Sequence, residues 1–249
     1  MKLNQYMKLR QRNLKPGFIV QNKRQLKALK ILKIIEDAGK SRNLSIKLLD
    51  IGTGNGEIAS FLSEYFDVTS VDIIDQRSQS IGFSFELVDN EILPFKESEF
   101  DIVISNHAIE HLSNADLHLA EISRVIKPDG LVYLATPNRF WPWEVHYQLL
   151  FLHYFPQPVF MAILKRIGKY HEELNLVSWF CLKHKLQKHF AITVMSDVIC
   201  KWPQKYYFDI GHNIASILSW IPLWVYRAFT FINPTLIILL KPKALEEIN

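Results

Sequence analysis

Residues 48–56 read Leu-Leu-Asp-Ile-Gly-Thr-Gly-Asn-Gly. An apolar run closes on an acid, and three glycines follow at alternate positions. Glycine reaches positive φ and lets backbone approach a ligand closely. A strand entering such a loop, with a helix after it, marks a nucleotide-cofactor turn at the carboxyl end of a sheet. The downstream pattern predicts the helix over Gly56–Tyr65, with Ile58, Phe61 and Leu62 on one face.

The rest of the chain is read outward from this turn. Ile46–Ile51 is predicted as the first strand, Val68–Asp72 as the second and Phe83–Val88 as the third. Ile102–Ser105 is predicted as the fourth, and Leu117–Ile126 as a helix stopped by Lys-Pro-Asp-Gly. Leu131–Ala135 follows as the fifth strand, closed by Thr-Pro-Asn. Strands alternating with helices imply βαβ units and a parallel sheet. Ala191–Met195 and Thr235–Leu240 supply two further strands, the last able to join antiparallel at the sheet edge. The expected fold is α/β, Rossmann-like and doubly wound. Its seven-stranded sheet is mostly parallel, with an antiparallel edge strand and a helical aromatic insert after strand five.

One domain is expected over the 249 residues. A basic helical arm spans 1–45, the cofactor core 46–136, an acceptor-side insert or lid 137–188, and C-terminal strands with a hydrophobic helical segment 189–249. Residues 1–35 hold ten Lys/Arg and no acid, which leaves the remainder with 19 basic against 25 acidic residues. Such an arm is either a solvated helix face or a contact for anionic lipid, nucleic acid or substrate. The helix itself is predicted from Gln25 to Ile35. Cys181 and Cys200 form neither a disulfide framework nor a zinc motif. No metal is expected. The basic start lacks an apolar h-region, so a cytoplasmic protein without a signal peptide is expected, with peripheral membrane association as the alternative.

The spacing of the glycines discriminates between cofactors. A dinucleotide loop places its third glycine where Glu57 stands here, and an acid would repel a pyrophosphate. An NAD-dependent oxidoreductase is therefore the weaker reading. The order Asp50-x-Gly52-x-Gly54-x-Gly56 resembles that of the class I S-adenosylmethionine-dependent methyltransferases, and four more stretches carry the likeness. They are Val71-Asp72-Ile73, Val88–Phe95 followed by Glu99-Phe100-Asp101, Ser105–Leu112, and Arg124–Leu131. In style the chain is similar to the small ubiquinone/menaquinone-biosynthesis methyltransferases.

That resemblance implies S-adenosyl-L-methionine as cofactor and assigns roles residue by residue. Gly52, Thr53, Gly54, Asn55 and Gly56 would wrap the amino-acid half, with Asp50 favouring its ammonium. Asp72, with Ile73 beside it, would take the ribose hydroxyls. Asp89 and the Asn90 backbone would meet the adenine. Asn106 and His107 would lie beside the methionine portion. Taken singly, Asp50 and Asp72 could be ordinary strand-end acids, and Asp89 a turn cap.

Methyl transfer needs a base only when the acceptor is protonated. His107, His111 and His146 are the candidates. His146 lies in Thr136–Tyr147, after strand five, where the family's acceptor pocket opens, and its competing role is that of a core histidine held by Glu144. The insert's aromatic residues, Phe140 to Phe160, predict either a lid over an apolar acceptor or a core extension. Residues 214–232 are nearly long enough to span a bilayer, but Pro222, Arg227 and Asn233-Pro234 argue instead for a broken amphipathic helix. It would line the acceptor pocket or lie in a membrane interface together with the basic N-terminus. A small-molecule acceptor that is apolar, aromatic or lipid-like is expected. Nucleic acid is disfavoured because strand four lacks an Asn/Asp-Pro-Pro-Tyr form. The main alternative is a non-catalytic cofactor-binding module docked on a membrane or partner.

Overall fold

The computed structural model describes residues 16–243 except Gln79, Val145, His146, 171–173 and Asp209, with side chains from Arg24 onward. Helix α1 (Pro16–Asp37) leads into β1 (Lys47–Ile51), α2 (Glu57–Leu62) and β2 (Asp67–Asp72). Then come β3 (Ser84–Leu87), β4 (Phe100–Asn106), α3 (Ala115–Val125) and β5 (Ile126–Pro137). The insert opens as a small ribbon, β6 (Trp143–Glu144) and β7 (Leu149–Leu150), and turns helical at α4 (Gln157–Arg166). Helix α5 (Trp179–Leu186), β8 (Phe190–Val194), α6 (Ser196–Lys201), α7 (His212–Trp220), α8 (Leu223–Ala228) and β9 (Thr235–Pro242) complete the chain.

The main sheet has seven strands in the order β3-β2-β1-β4-β5-β9-β8. The first five neighbours pair parallel, and β9 runs antiparallel to both β5 and β8. The antiparallel strand expected near the C-terminus is thus β9, second from the edge, with β8 outside it. The strand order reverses between β1 and β4, which is where ligands bind in open α/β sheets.

Alternation along the strands explains why both faces are covered. Leu48, Ile102, Ile104 and Tyr133 point to a layer formed with Ile31 and Ile35 of α1, Leu62 of α2 and Ile199 of α6. Their neighbours Leu49, Val103, Val132 and Leu134 point the other way, onto Ile122 of α3 and Leu182 and Leu186 of α5. Successive strand residues face opposite sides, so strands that are apolar at every position need helices on both.

The insert has its own small core of Tyr147, Phe160, Leu164 and Leu174. Phe140, Trp143, Phe151, Tyr154 and Phe155 stay exposed around it. Residues 214–232 form the expected broken helix, interrupted between Trp220 and Leu223 by Ile221-Pro222. Pro222 cannot donate to the helical ladder. Among the described residues, no helix is long and apolar enough to cross a membrane.

Candidate active site

The glycine turn is stapled to the tip of β2. Gly52 and Thr53 both donate their N–H to the Val71 carbonyl, at 2.9 and 3.3 Å. The Thr53 hydroxyl reaches the same carbonyl at 3.1 Å and also hydrogen-bonds Ser70 Oγ. Gly54 N–H donates to Asp72 Oδ2 at 2.8 Å, while Asp72 Oδ1 accepts from Ile73 N–H at 2.8 Å. All three glycines adopt left-handed backbone, with φ of +83° at Gly52, +54° at Gly54 and +79° at Gly56. Their missing side chains serve different ends. A Cβ on Gly52 would come within 3.0 Å of Ala108 Cβ, so that glycine allows close packing against the turn after β4. A Cβ on Gly54 would meet nothing within 4 Å, so that glycine leaves open space.

Asp50 sits one residue before the end of β1 and is 3% exposed. Among the described residues, no side-chain hydrogen bond reaches its carboxyl. Burial, and then the charge of Asp72, push its pKa up to about 7. Two carboxylates on neighbouring strand tips, one of them buried and unpartnered, make a place that a cation would relieve. Asn55 completes the turn: its Nδ2 donates to Glu57 Oε1 at 2.6 Å, and its Oδ1 accepts from Arg24 of α1. The other Glu57 oxygen is buried without a partner.

Asp89 and Asn90 are exposed after β3. Asn90 Nδ2 donates to Asp89 Oδ1, and Asn90 Oδ1 accepts from Ile92 N–H, both at 2.8 Å. So it is Asn90 rather than Asp89 that caps this turn. An ion pair on α3 holds the segment that follows. Glu121 Oε2 accepts the Leu93 N–H at 2.8 Å, and Arg124 donates to the carbonyls of Leu93 and Phe95 at 2.9 and 2.7 Å. Two of the sequence stretches, Val88–Phe95 and Arg124–Leu131, are thereby physically one device.

At the tip of β4, Asn106 is half-buried and His107 takes a left-handed φ of +58°. His107 N–H donates to Ala135 O at 2.8 Å, and its Nδ1 lies 3.1 Å from Glu110 Oε1. Glu110 is wholly buried, and its other oxygen accepts from the Thr136 hydroxyl at 3.1 Å. Burial works against an ionised Glu110, yet the His107 hydrogen bond and charge outweigh it and hold the carboxyl below its ordinary range. His111 ends the same turn, exposed. His146 lies outside the described residues, so its placement against Glu144 is not part of this picture.

The loop after β5 is tied to the C-terminal segment. Asn138 Nδ2 donates to the carbonyls of Phe231 and Asn233, at 2.8 and 2.9 Å. Asn175 returns from the insert to the Glu110 turn, donating its N–H to Glu110 O at 2.7 Å. Beside these ties lies a cavity of about 510 Å³, lined by Arg139, Phe140, Tyr154, Phe180, Phe231 and Ile232. Glu110 and Asn138 stand inside stretches read in the sequence without a role in these ties, and Asn175 was not singled out. Glu110 could have been found there, while Asn175 carries no local signal.

The basic arm is only partly a solvated face. Lys27 and Lys30 are half-buried, with no hydrogen bond or ion pair among the described residues. Burial first, then Arg24, lowers the pKa of Lys27. Burial and Lys27 take Lys30 down to about 8.

Residues 21–198 match the family model of the methyltransferase domain. The ubiquinone biosynthesis O-methyltransferase of Brucella melitensis is 28% identical over 104 residues, covering 38% of this chain and 42% of that protein. The mitochondrial arginine hydroxylase of Danio rerio is 32% identical over 90 residues, covering 33% of this chain and 28% of that protein. The match thus spans less than half the length of these curated relatives. The phosphoethanolamine N-methyltransferase 2 of Haemonchus contortus, solved in complex with S-adenosyl-L-methionine, superposes with a TM-score of 0.53 at 17% identity. That match covers 87% of this chain and 52% of the other, a likeness of fold. By the family match, the chain belongs to the class I S-adenosylmethionine-dependent methyltransferases.

Proposed function

We propose that this protein transfers a methyl group from S-adenosyl-L-methionine to a small molecule with an apolar, aromatic or lipid-like body. The observation that carries the reading is Asp50, a buried carboxyl without a partner beside a second carboxylate and an open glycine turn. Such a place favours a cationic ligand and disfavours a pyrophosphate. The methionine ammonium supplies that cation.

In this reading Gly52, Thr53, Gly54, Asn55 and Gly56 hold the amino-acid half through main chain. Asp50 draws the ammonium. Each Asp72 oxygen already accepts one backbone N–H, and a carboxylate has about four acceptor sites, so two ribose hydroxyls still fit. Ile73, 58% exposed, offers apolar surface beside them. Asp89 and Asn90 receive the adenine, and Asn106 and His107 flank the methionine portion.

When bound, the cofactor supplies an already electrophilic methyl group, so the protein mainly orients the acceptor and excludes water. If the acceptor is a hydroxyl, its proton needs a base. An ionised Glu110 can only accept, so in a neutral His107 ring Nδ1 donates to it and Nε2 is the basic nitrogen. That tautomer equips His107 for the role, for which His111 and His146 stay candidates. The aromatic lining of the 510 Å³ cavity supports an apolar acceptor, and contact of residues 214–232 with a bilayer surface suits its lipid-like end. Incubation with isotope-labelled cofactor and a panel of phenols, quinols and amphiphiles tests the reading. Labelled product supports it. Cofactor binding without turnover across the panel would instead favour a non-catalytic module.

A further inference from the structure

Helices α7 and α8 meet at the Ile221-Pro222 break, and their exposed large side chains are mostly apolar. Trp220 is 84% exposed, Trp224 70% and Ile217 66%, with Ile214 and Phe229 also more than half exposed. No charged side chain occurs from Asn213 to Tyr226. The polar groups at the break are satisfied from inside. Lys201 Nζ donates to the carbonyls of Ser219 and Ile221 at 2.7 and 2.6 Å, and Tyr226 OH donates to Leu218 O at 2.8 Å. The break is therefore held in shape while the segment exposes two tryptophans and three other large apolar side chains. Large apolar side chains exposed in such number over one short segment point to an interaction site, and tryptophan suits a boundary where one end is apolar and the other wet.

The surroundings indicate the partner. Between Trp202 and Ile232 the charged residues are Lys205, Asp209 and Arg227. Helix α1 adjoins this region: Lys30 Nζ lies 5.2 Å from the Phe208 ring centre, and Lys205 pairs with Asp37 at 2.7 Å. Residues 1–35, which include most of α1, carry ten Lys/Arg without one acid, and α1 closes on Glu36 and Asp37. An apolar ridge beside a cationic segment complements an anionic lipid surface. A second copy of the chain would bring a like-charged arm against the first.

The ridge also connects inward. Ring centres of Phe229 and Phe231 are 6.4 Å apart, those of Phe231 and Phe180 6.2 Å, and those of Phe180 and Phe140 6.2 Å. The last three line the 510 Å³ cavity.

We propose that residues 214–232 dock this protein on an anionic bilayer, with Trp220 and Trp224 in the interface and the phenylalanine track admitting a lipid chain from that bilayer to the cavity. The entry route rests on the acceptor reading above; the docking does not. The test is co-sedimentation with vesicles of phosphatidylcholine alone and of phosphatidylcholine containing about one third phosphatidylglycerol. A second arm measures quenching of wild-type tryptophan emission by brominated phosphatidylcholine mixed into the anionic vesicles. Wild type should pellet with the anionic vesicles, more weakly at high salt, and be quenched. The Trp220→Ser/Trp224→Ser double variant should partition at least tenfold less, with unchanged thermal melting and unchanged binding of S-adenosylhomocysteine. Wild type left in the supernatant with both vesicles, or a variant that pellets like wild type, overturns the proposal. So does a concentration-dependent dimer that the double variant abolishes, found without vesicle binding. Failure of the cofactor reading would show separately, as absent S-adenosylhomocysteine binding with vesicle binding intact.

Discussion

Replacing Asp50 by Asn should stabilise the protein in a pH-dependent way while weakening its ligand. The carboxyl is buried at the tip of β1, and burial together with Asp72 raises its pKa from an ordinary 3.8 to about 7. A raised folded-state pKa means the folded protein holds the proton more tightly than the unfolded chain does. Stability from the protonated form is thus fully present below about pH 4 and is lost as pH rises through 7. At roughly 1.4 kcal/mol per pKa unit, the loss is at most about 4 kcal/mol. Asn has nothing to ionise and keeps the buried shape. Urea unfolding of both proteins at intervals from pH 4 to 8 should give nearly equal stabilities at the acid end. The gap should then widen in favour of Asp50→Asn, towards about 4 kcal/mol at pH 8. S-adenosylhomocysteine affinity should meanwhile fall at least tenfold. Two stability curves that run parallel across the range would refute the argument that Asp50 is a strained, unpartnered acid.

Three further substitutions separate structure from ligand holding. Gly54→Ala meets no neighbouring atom but must adopt a φ of +54°. It should cost about 1–2 kcal/mol in denaturant melts and weaken S-adenosylhomocysteine tenfold or more in calorimetry, because its methyl fills the ligand's space. Arg124→Met removes the clamp on Leu93 and Phe95 and leaves Glu121 without its guanidinium. A loss of about 2 kcal/mol, roughly 4–8 °C in Tm, is expected by calorimetric melting. His118, whose ring meets Ser105 Oγ at 3.0 Å, has its pKa lowered by burial to about 4. Its folded form binds the proton less well than the unfolded chain, so it sheds about 3 kcal/mol as pH falls from 6.5 to 4. His118→Gln should remove that acid sensitivity, and unfolding curves at pH 4.5 and 7 measure it.

The central half of the fold was legible because each strand is a short apolar run with a chemically marked end. Gly52, Asp72, Asn106 and Pro137 punctuate β1, β2, β4 and β5. The ends moved where pairing outweighed pattern. Strand β5 begins at Ile126 rather than Leu131, because Ile126 pairs with Phe100 across a register shift. Helix α1 begins at Pro16, nine residues before the predicted start, where the apolar residues form one cluster, Phe18-Ile19-Val20, followed by Gln21-Asn22-Lys23-Arg24, with no stripe of helical period to read. The ribbon of β6 and β7 was invisible since the residues that enter and leave β7, Gln148 and Phe151, take left-handed φ without being glycine. In the site, the glycines and strand-tip acids are local and could be read. The Glu110–Thr136 and Asn175–Glu110 contacts join residues that only the sheet order and the insert's path bring together. Pattern alone also cannot tell a solvated lysine from one that buries its stem, as Lys27 and Lys30 do.

Calorimetric titration with S-adenosylhomocysteine at pH 6, repeated in buffers of different ionisation heat, tests the cofactor assignment most directly. Wild type should bind and release close to one proton, since the ligand's ammonium would ionise an Asp50 that is mostly protonated at that pH. Asp50→Asn should release none. No binding heat from folded protein in any of the buffers, or binding with the same proton count in both proteins, would contradict the account.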